Sequence, residues 1–238
     1  MAEEMDLPDM TPSPLPAPAD TADVVRQAAD LIAQSQRVML FTGGGATSPE
    51  AAALVAQLAE ELGAPVVQSL MGKGSIPHDH PYNVGAFGYR WSADNPVVDV
   101  MRGSDLAIVI GSGLGVRTTG EGSMPLPKRL IHIDIDPNEH GKRYTPDVSI
   151  VADASATMSA LLDAVRSGKR PAARWTPDEI GKVRERLQEP SDERAARYVP
   201  YLDAMRAGME RNAILCNDMT MMAYEGVRYF PTFEPRTY

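Results

Sequence analysis

Residues 38–69 decide the fold and read VMLFTGGGATSPEAAALVAQLAEELGAPVVQS. The apolar run Val38 to Phe41 predicts a buried strand, and three consecutive glycines follow it shortly afterwards. Ser48 and Pro49 begin a helix, because a hydroxyl can cap its free N–H groups and proline fits its first position. That helix ends at Gly63, and the apolar residues after it predict a second strand. A strand, a glycine turn, a helix and a strand in this order predict a right-handed parallel crossover.

The same alternation continues on both sides of this unit. Apolar residues at helical spacing after Thr21 predict a preceding helix, and we expect another that is capped by Ser155 and reaches about Arg166. Three more short apolar runs predict strands, at 106–110, 130–135 and 148–151. Strands that alternate with helices predict an α/β domain over residues 20–166. We expect a Rossmann-like open parallel sheet with helices on both faces.

The remaining segments differ from this domain in composition. Residues 1–19 are acidic and rich in proline, which favours extended backbone, so we interpret them as an arm or linker. Residues 71–95 are too long for a simple connection, and we expect them to be functional or to form an irregular flap packed by its aromatic side chains. Residues 167–211 are rich in charged side chains and predict a helical linker.

The final segment, residues 212–238, is interpreted as a truncated strand-helix unit. Ala213 to Cys216 predicts a strand, in which Cys216 would be buried and inert, and Met219 to Tyr229 predicts a helix. One strand and one helix cannot bury their apolar faces alone. We therefore expect this segment to be poorly ordered or to be covered by another chain.

Charge and composition argue against several classes of function. The 238 residues include 23 Lys and Arg against 32 Asp and Glu, and the net charge of −9 argues against a nucleic-acid partner. A single cysteine, Cys216, excludes an internal disulfide and a zinc site built from several cysteines. No apolar run reaches the length of a membrane span, and the acidic N-terminus lacks an export pattern. We expect a cytoplasmic protein without membrane contact.

Candidate ligand contacts lie where strands end in glycine-rich turns or in acids. They are Gly43, Gly44, Gly45, Gly111, Gly113, Arg117, Asp134 and Asp136. Backbone amides at the first turn can hold a phosphate, but three glycines are not the full dinucleotide fingerprint, so a structural turn is the alternative. Arg117 is either a phosphate or flavin contact or a solvated side chain. The two aspartates either meet a ribose hydroxyl or form a turn and a helix cap.

Four other titratable side chains are weaker candidates. Lys73 is flanked by glycines and is a candidate phosphate contact. His78 and His80 lack a third metal ligand at suitable spacing, so we predict no metal site there and expect His80 to shape the flap. His132 faces away from the neighbouring isoleucines and is either a residue at the edge of the core or a ligand contact. No residue is assigned a catalytic role.

Several short motifs occur in a specific order along residues 20–165. They are GGG at 43–45, LAEELGAPV at 58–66, MGKGSIP at 71–77, GAFG at 85–88, SDLAIVIG at 104–111 and IHIDIDP at 131–137. Together they resemble the central domain of thiamine diphosphate-dependent enzymes of the acetolactate synthase and 2-oxoacid decarboxylase group. The stretch ILCNDMT at 214–220 is similar to the opening of the diphosphate-binding domain in that family.

The resemblance implies cofactors and partners that the residues alone do not reveal. It implies thiamine diphosphate and Mg²⁺ in the complete enzyme, and FAD, ADP or nothing in the central domain. It also implies a homo-oligomer, or flanking catalytic domains on other chains. The chain lacks a recognisable Gly-Asp-Gly metal motif and the domain that carries the family's activating glutamate. We therefore expect part of a decarboxylase or acetolactate synthase-like enzyme, as a split subunit or a truncation, that is not catalytically competent alone.

Two other functions are weighed against this one. A free-standing FAD- or ADP-binding or scaffold module without catalysis would bind nucleotide stoichiometrically and show no turnover. The loop Thr42 to Ser48 also resembles the first loop of NAD-dependent protein deacylases. Those enzymes commonly carry two cysteine pairs on zinc, and the single cysteine of this chain argues against that class.

Overall fold

The computed structural model describes residues 21–89 and 91–238, so the predicted arm at 1–19 lies outside the described residues. These residues form six strands: β1 (Val38–Thr42), β2 (Val66–Gln68), β3 (Asn83–Ala86), β4 (Leu106–Ile110), β5 (Arg129–Asp134) and β6 (Val148–Val151). They also form eight helices: α1 (Ala22–Ala33), α2 (Pro49–Leu62), α3 (Val97–Gly103), α4 (Val116–Thr119), α5 (Ala154–Ser167), α6 (Pro177–Gln188), α7 (Glu193–Ala207) and α8 (Met221–Tyr229). None of these helices combines the length and apolar character needed to cross a bilayer.

The six strands form one parallel sheet in the order β3-β2-β1-β4-β5-β6. The predicted open parallel sheet is therefore confirmed. In the register of the central strands, Leu40 of β1 lies between Val66 of β2 and Ile108 of β4. The chain builds outward from β1 in one direction and then from β4 in the other. Sheets of this kind bind ligands at the carboxyl ends of the strands where the order reverses, which here is between β1 and β4.

Local sequence signals set the limits of the helices on this sheet. The Ser48 hydroxyl accepts a hydrogen bond from the Ala51 N–H at 3.0 Å, as expected for the residue that caps α2. Gly63 ends that helix with φ of +59°, a left-handed conformation that glycine adopts without strain. At α5 the cap is Asp153, which accepts from the Ala156 N–H at 3.0 Å. The prediction that Ser155 caps α5 is wrong by two residues, because the carboxylate of Asp153 takes the capping role.

Both faces of the sheet are covered by helices, as predicted. Helices α1, α2 and α5 pack on one face around side chains such as Leu40 and Ile108. Helices α3 and α6 pack on the other face around Phe41 and Val109. Helix α6 falls in the range predicted as a helical linker, yet it buries Ile180, Val183 and Leu187 in this second core. Its charged residues therefore lie on one side of a helix that belongs to the sheet layer.

The predicted flap contains a strand that the sequence pattern does not reveal. Residues Asn83 to Ala86 form β3 at the edge of the sheet, paired parallel with β2. Glycine and alanine occupy half of this strand, so it lacks the β-branched and aromatic residues that mark strands. The expectation of an entirely irregular flap is therefore wrong. Phe87 and Trp91, which follow the strand, are buried in the second core.

The C-terminal segment packs against helix α7 of the same chain. Tyr229 and Phe230 are fully buried there together with Leu202 of α7. The expectation that another chain must supply the cover is wrong for these residues, because α7 provides it. The predicted strand at 213–216 is also wrong, since that segment has no sheet edge to join. Its Leu215 N–H donates instead to the Thr237 carbonyl at 2.9 Å.

The Asp105 carboxylate connects the starts of the two central strands. It accepts hydrogen bonds from the Gln36 N–H at 2.9 Å and from the Arg37 N–H at 2.7 Å. In return, the Asp105 N–H donates to the Arg37 carbonyl at 3.0 Å. Neither Gln36 nor Arg37 lies within a strand, so the carboxylate satisfies donors that the sheet leaves unpaired.

We expect Asp105→Ala to lower the free energy of unfolding by about 1–2 kcal/mol, because two backbone donors lose their acceptor. Denaturant unfolding monitored by circular dichroism measures this difference. Asp163→Ala is the matched control, since Asp163 is exposed on α5 and its loss should change stability by less than about 0.5 kcal/mol. Equal destabilisation by the two substitutions would contradict this role of Asp105.

Candidate functional site

The strand order brings most of the predicted ligand contacts to one edge of the sheet. Gly43, Gly44 and Gly45 follow the end of β1, and Gly111 follows the end of β4 directly beside it. Asp134 ends β5, the next strand across. Because all strands are parallel, these ends lie along the carboxyl edge, at and next to the point where the order reverses. The predicted residues therefore form one neighbourhood in the fold.

The first glycine turn is locked against the second by backbone hydrogen bonds. The Gly43 N–H donates to the Ile110 carbonyl at 2.9 Å, and the Gly45 N–H donates to the Gly111 carbonyl at 3.0 Å. A Cβ atom added to Gly43 would lie 2.3 Å from the Gly111 oxygen. Glycine is required here because two backbones meet, and two of the three turn amides already have acceptors within the protein.

Gly44 is the open position of the first turn. It is exposed, and a Cβ atom added there would meet only Met71, at 3.5 Å. Met71 is itself 71% exposed, an unusual state for a large apolar side chain. A ligand at this edge would therefore meet the Gly44 backbone and the Met71 side chain first.

The second glycine turn is covered by an acidic side chain. A Cβ atom added to Gly113 would lie 2.2 Å from a carboxylate oxygen of Glu139, which follows β5. Glu139 in turn pairs with Lys142 in the same loop. A carboxylate over Gly113 is unfavourable for a phosphate, because two negative charges would be brought together. This geometry favours a structural role for Gly113.

Arg117 lies on α4, beyond the second turn. Its guanidinium donates to the Tyr89 hydroxyl and lies 5.5 Å from the centre of the Tyr89 ring. The Tyr89 ring also meets the Tyr224 ring edge to face at 4.8 Å between centroids. Arg117 is exposed, so it is available to an anion, but its present partner is an aromatic side chain of the flap.

Asp134 and Asp136 form a turn after β5. The Asp134 carboxylate accepts from the Asp136 N–H at 3.0 Å, and Asp136 accepts from the Asn138 N–H at 2.9 Å. The hydrogen bond from the Asn138 backbone, and after it the one from the Asn138 side chain, lower the pKa of Asp136. Both carboxylates therefore make the contacts expected if they form a turn and a helix cap. Contact with a ribose hydroxyl stays a prediction, and the exposed side of Asp136 leaves room for it.

A pair of histidines in contact lies beside these residues, and the sequence pattern identifies only one of them. His132 is buried on β5, and its Nε2 lies 2.9 Å from the Ser112 carbonyl. The His140 ring packs against it with 4.4 Å between centroids and a tilt of 37° between the ring planes. Burial is the main cause that lowers the pKa of His132, so the ring is neutral at pH 7. His132 is a core residue that fixes the second glycine turn.

Lys73 is turned away from the edge and into the protein. It is 7% exposed, and its amine donates to the Val227 carbonyl of α8 at 2.8 Å. The interpretation of Lys73 as a phosphate contact is therefore wrong in this structure. Its sequence context gave no sign of this, because the partner lies 154 residues away.

The other candidates of the flap and tail also have partners within the protein. His80 lies 3.2 Å from the Glu60 carboxylate, and Asp79 forms two hydrogen bonds with Arg211. The prediction that Cys216 is buried is wrong, because its segment is not a strand and the thiol is exposed. Met219 is likewise 67% exposed.

A cavity lies away from the glycine turns, between the flap and the C-terminal helices. It has a volume of 690 Å³ and is lined by the flap, by the α6–α7 connection and by α8. Arg194 and Glu225 form an ion pair in its wall, with 2.7 Å between Nε and Oε1. No sequence motif marks this cavity, because its walls come from three distant segments.

The described residues offer few groups that could bind a metal ion or a cofactor. No group of three or more His, Cys, Asp or Glu side chains in residues 21–89 and 91–238 is placed to hold a metal ion. The described residues therefore do not fit a site for Mg²⁺ with a diphosphate, which needs carboxylate and carbonyl oxygens around the ion. The glycine turns offer one open segment, at Gly44, for a nucleotide.

Comparison with known protein families matches residues 25–161, more than half of the chain, to the thiamine pyrophosphate enzyme central domain. This range runs from α1 through the six-stranded sheet into α5. The match thus covers the sheet and the carboxyl edge that carries the glycine turns.

Several curated proteins are similar over a larger part of the chain. A probable 2-ketoarginine decarboxylase of Pseudomonas aeruginosa is 30% identical over 91% of this chain and 38% of its own length. A glyoxylate carboligase of Escherichia coli O157:H7 is 33% identical over 72% of this chain and 30% of its own length. An acetolactate synthase of Mycobacterium bovis is 37% identical over 68% and 25% respectively. The matched regions thus span between a quarter and two fifths of the length of these relatives.

Proposed function

Because the chain belongs to the thiamine pyrophosphate enzyme family and contains its central domain, we propose that it works as the middle part of an enzyme acting on 2-oxoacids. The reaction would be a decarboxylation or an acetolactate synthase-like condensation. One observation carries this proposal: the family match at 25–161 coincides with the complete parallel sheet. The names of two relatives add support, since 2-ketoarginine and glyoxylate are both 2-oxoacids.

We place the reaction chemistry outside the described residues. Thiamine diphosphate, when bound, supplies the stabilised carbanion that 2-oxoacid chemistry needs, and Mg²⁺ anchors its diphosphate. The described residues contain no ligand set for that ion. The role proposed for this chain is therefore structural: its sheet supports the domains that hold the cofactor. In this proposal residues 212–238 belong to the start of the diphosphate-binding domain.

The central sheet could also hold FAD or ADP at its carboxyl edge. In that case the nucleotide would approach the open backbone of Gly44, with Arg117 as the nearest predicted cation. The acid over Gly113 and the occupied amides of Gly43 and Gly45 work against a phosphate. We therefore propose an empty pocket or weak binding. Cytoplasmic location and assembly as a homo-oligomer stay predictions.

The proposal is tested with the chain alone and with a chimera. Purified chain supplied with thiamine diphosphate, Mg²⁺ and pyruvate should release no carbon dioxide. A chimera in which residues 25–161 replace the matching region of the Mycobacterium bovis acetolactate synthase should fold and release it. The unaltered synthase is the positive control. Carbon dioxide release by the chain alone, or a folded chimera that is inactive, would count against the proposal.

Calorimetric titration with FAD and ADP distinguishes the proposed enzyme part from a free-standing nucleotide-binding module. A free-standing nucleotide-binding module would bind one of them tightly and stoichiometrically, without turnover in any combination of domains. The proposed enzyme part should instead bind either nucleotide weakly or not at all.

A further inference from the structure

Lys73 is the buried lysine of the described residues, and none of the ion pairs within that part of the chain includes it. The other four lysines of the sequence are exposed, whereas Lys73 is 7% exposed. It follows β2 in a short helical turn, between two glycines. Its amine donates to the Val227 carbonyl at 2.8 Å and lies 4.7 Å from the centre of the Tyr238 ring. Both contacts belong to the C-terminal segment of the chain.

The Val227 carbonyl needs an external donor. A carbonyl inside a helix accepts from the N–H four residues later, which here would be residue 231. That residue is Pro231, which has no N–H. The Lys73 amine replaces the missing donor at the C-terminal end of α8.

The backbones of the two segments approach each other closely around this contact. A Cβ atom added to Gly74, whose φ is +87°, would lie 2.8 Å from the Glu234 carbonyl oxygen. The His78 N–H donates to the Thr232 carbonyl at 2.9 Å. The segment from Lys73 to His78 thus forms the surface on which residues 232–238 rest.

The charged groups around Lys73 do not offset the effect of burial on its ammonium form. His78 and Asp79 lie on its own segment, Arg184 faces them from α6, and Tyr238 and Glu234 lie on the C-terminal segment. Burial alone lowers the pKa of Lys73 to about 7. Burial raises the pKa of Tyr238 to about 12, so its ring is neutral. The docked amine therefore exchanges its proton near pH 7, while a lysine in water keeps it to about pH 10.5.

We propose that Lys73 is a positioning residue: it clamps α8 and residues 230–238 to the segment after β2, and deprotonation of its amine tightens the clamp. The amine can donate to Val227 in either protonation state, but burying the ammonium carries a desolvation cost that the neutral amine avoids. This inference rests on the proposed function for its meaning, since the clamp would set the position of the diphosphate-binding domain on the central domain.

Amide hydrogen exchange of the chain by itself, between pH 7 and 9, tests the clamp. After correction for intrinsic exchange, protection of the His78, Leu215 and Phe230 amides should rise nearly tenfold per pH unit, because the undocked lysine binds a proton that the docked lysine does not. Core amides such as Leu40, which exchange by global unfolding, should show the same dependence, because global unfolding also releases Lys73. Lys73→Met should remove the rise, while Lys128→Met, the same change at an exposed lysine, should leave it intact.

An equal rise in the Lys73→Met protein would overturn the clamp, because the linked proton would then belong to another group. A pH-independent protection in the unaltered chain would overturn it as well. If Lys73→Met does not fold, Lys73→Gln serves the same purpose, and the profile of the unaltered chain remains decisive by itself. None of these results depends on cofactor or activity, so they are separate from the outcome of the chimera experiment.

Discussion

Replacing Gly111 with alanine should lower the free energy of unfolding by at least about 3 kcal/mol. Gly111 has φ of +58°, and an added Cβ atom would lie 2.4 Å from the Gly45 Cα and 2.6 Å from the Gly45 carbonyl carbon. Both atoms belong to the backbone of the first glycine turn. The methyl group can fit only if the two turns separate, which would also break the hydrogen bond from the Gly45 N–H to the Gly111 carbonyl.

Gly115→Ala is the control for this substitution. Gly115 lies four residues further along the same turn, its φ is negative, and an added Cβ atom would meet nothing within 4 Å. Its replacement should change the free energy of unfolding by less than about 0.5 kcal/mol. Guanidinium denaturation of the three proteins measures both differences. Similar midpoints for the Gly111 and Gly115 variants would show that the two turns are not interlocked as described.

The sequence suffices to predict the central strands, for physical reasons visible in their residues. Strands β1 and β4 are short continuous apolar runs, as expected for strands buried on both faces of a parallel sheet, and they are fully buried. The cap and the terminating glycine of α2 are local signals and can be predicted equally well. The edge strand β3 cannot be predicted from its sequence, because Gly85 and Ala86 have little preference for strands and its position depends on pairing with β2.

The candidate site is predictable in outline only. The sequence places glycine turns at the strand ends, and the strand order then brings them together. The sequence does not reveal that the amides of Gly43 and Gly45 are already bonded to the end of β4, since that depends on two segments more than 60 residues apart meeting. The contact of Glu139 with Gly113 and the burial of the Lys73 side chain likewise depend on segments that are distant in the sequence.

The failed prediction of a strand at 213–216 has a related cause. Apolar residues in a short run fit a strand or any other half-buried segment, and periodicity does not distinguish them. Here the sheet ends at β3 and β6, and the segment lies beside α7 and the chain end instead. Exposed Ile214 and Cys216 follow from that position.

Mild acid should destabilise the protein through two histidines, His132, which is buried, and His78, which is half-buried. The pKa of His78 is lowered from 6.5 to about 4, chiefly by burial and then by the positive charges of Lys73 and Arg184, while Asp79 opposes the shift. Burial also lowers the pKa of His132. Below about pH 6.5 the unfolded chain binds protons that the folded protein does not. The free energy of unfolding must therefore fall as the pH falls through this range.

The expected size follows from the pKa of His78. Between about pH 6.5 and 5 the unfolded chain carries from about half to nearly a full proton at this residue that the folded protein lacks, which lowers stability by about 1.5 kcal/mol over the interval, and His132 adds to the loss. Carboxylates with a lowered pKa, such as Asp79 and Glu179, contribute in the same direction only as the pH approaches about 4. The loss of stability between pH 6.5 and 5 is therefore due mainly to the histidines.

Urea unfolding of three proteins over this pH interval measures the effect. His78→Gln should reduce the dependence of stability on pH by the share of His78, and His132→Gln should reduce it by the share of His132. Because a substitution also shifts stability by an amount that does not depend on pH, the slope against pH is the relevant readout. An unchanged slope in His78→Gln would mean that this ring is solvated when folded. Because Lys73 lies on the same segment and titrates above this range, the loss below pH 6.5 and the clamp above pH 7 report on one surface from two directions.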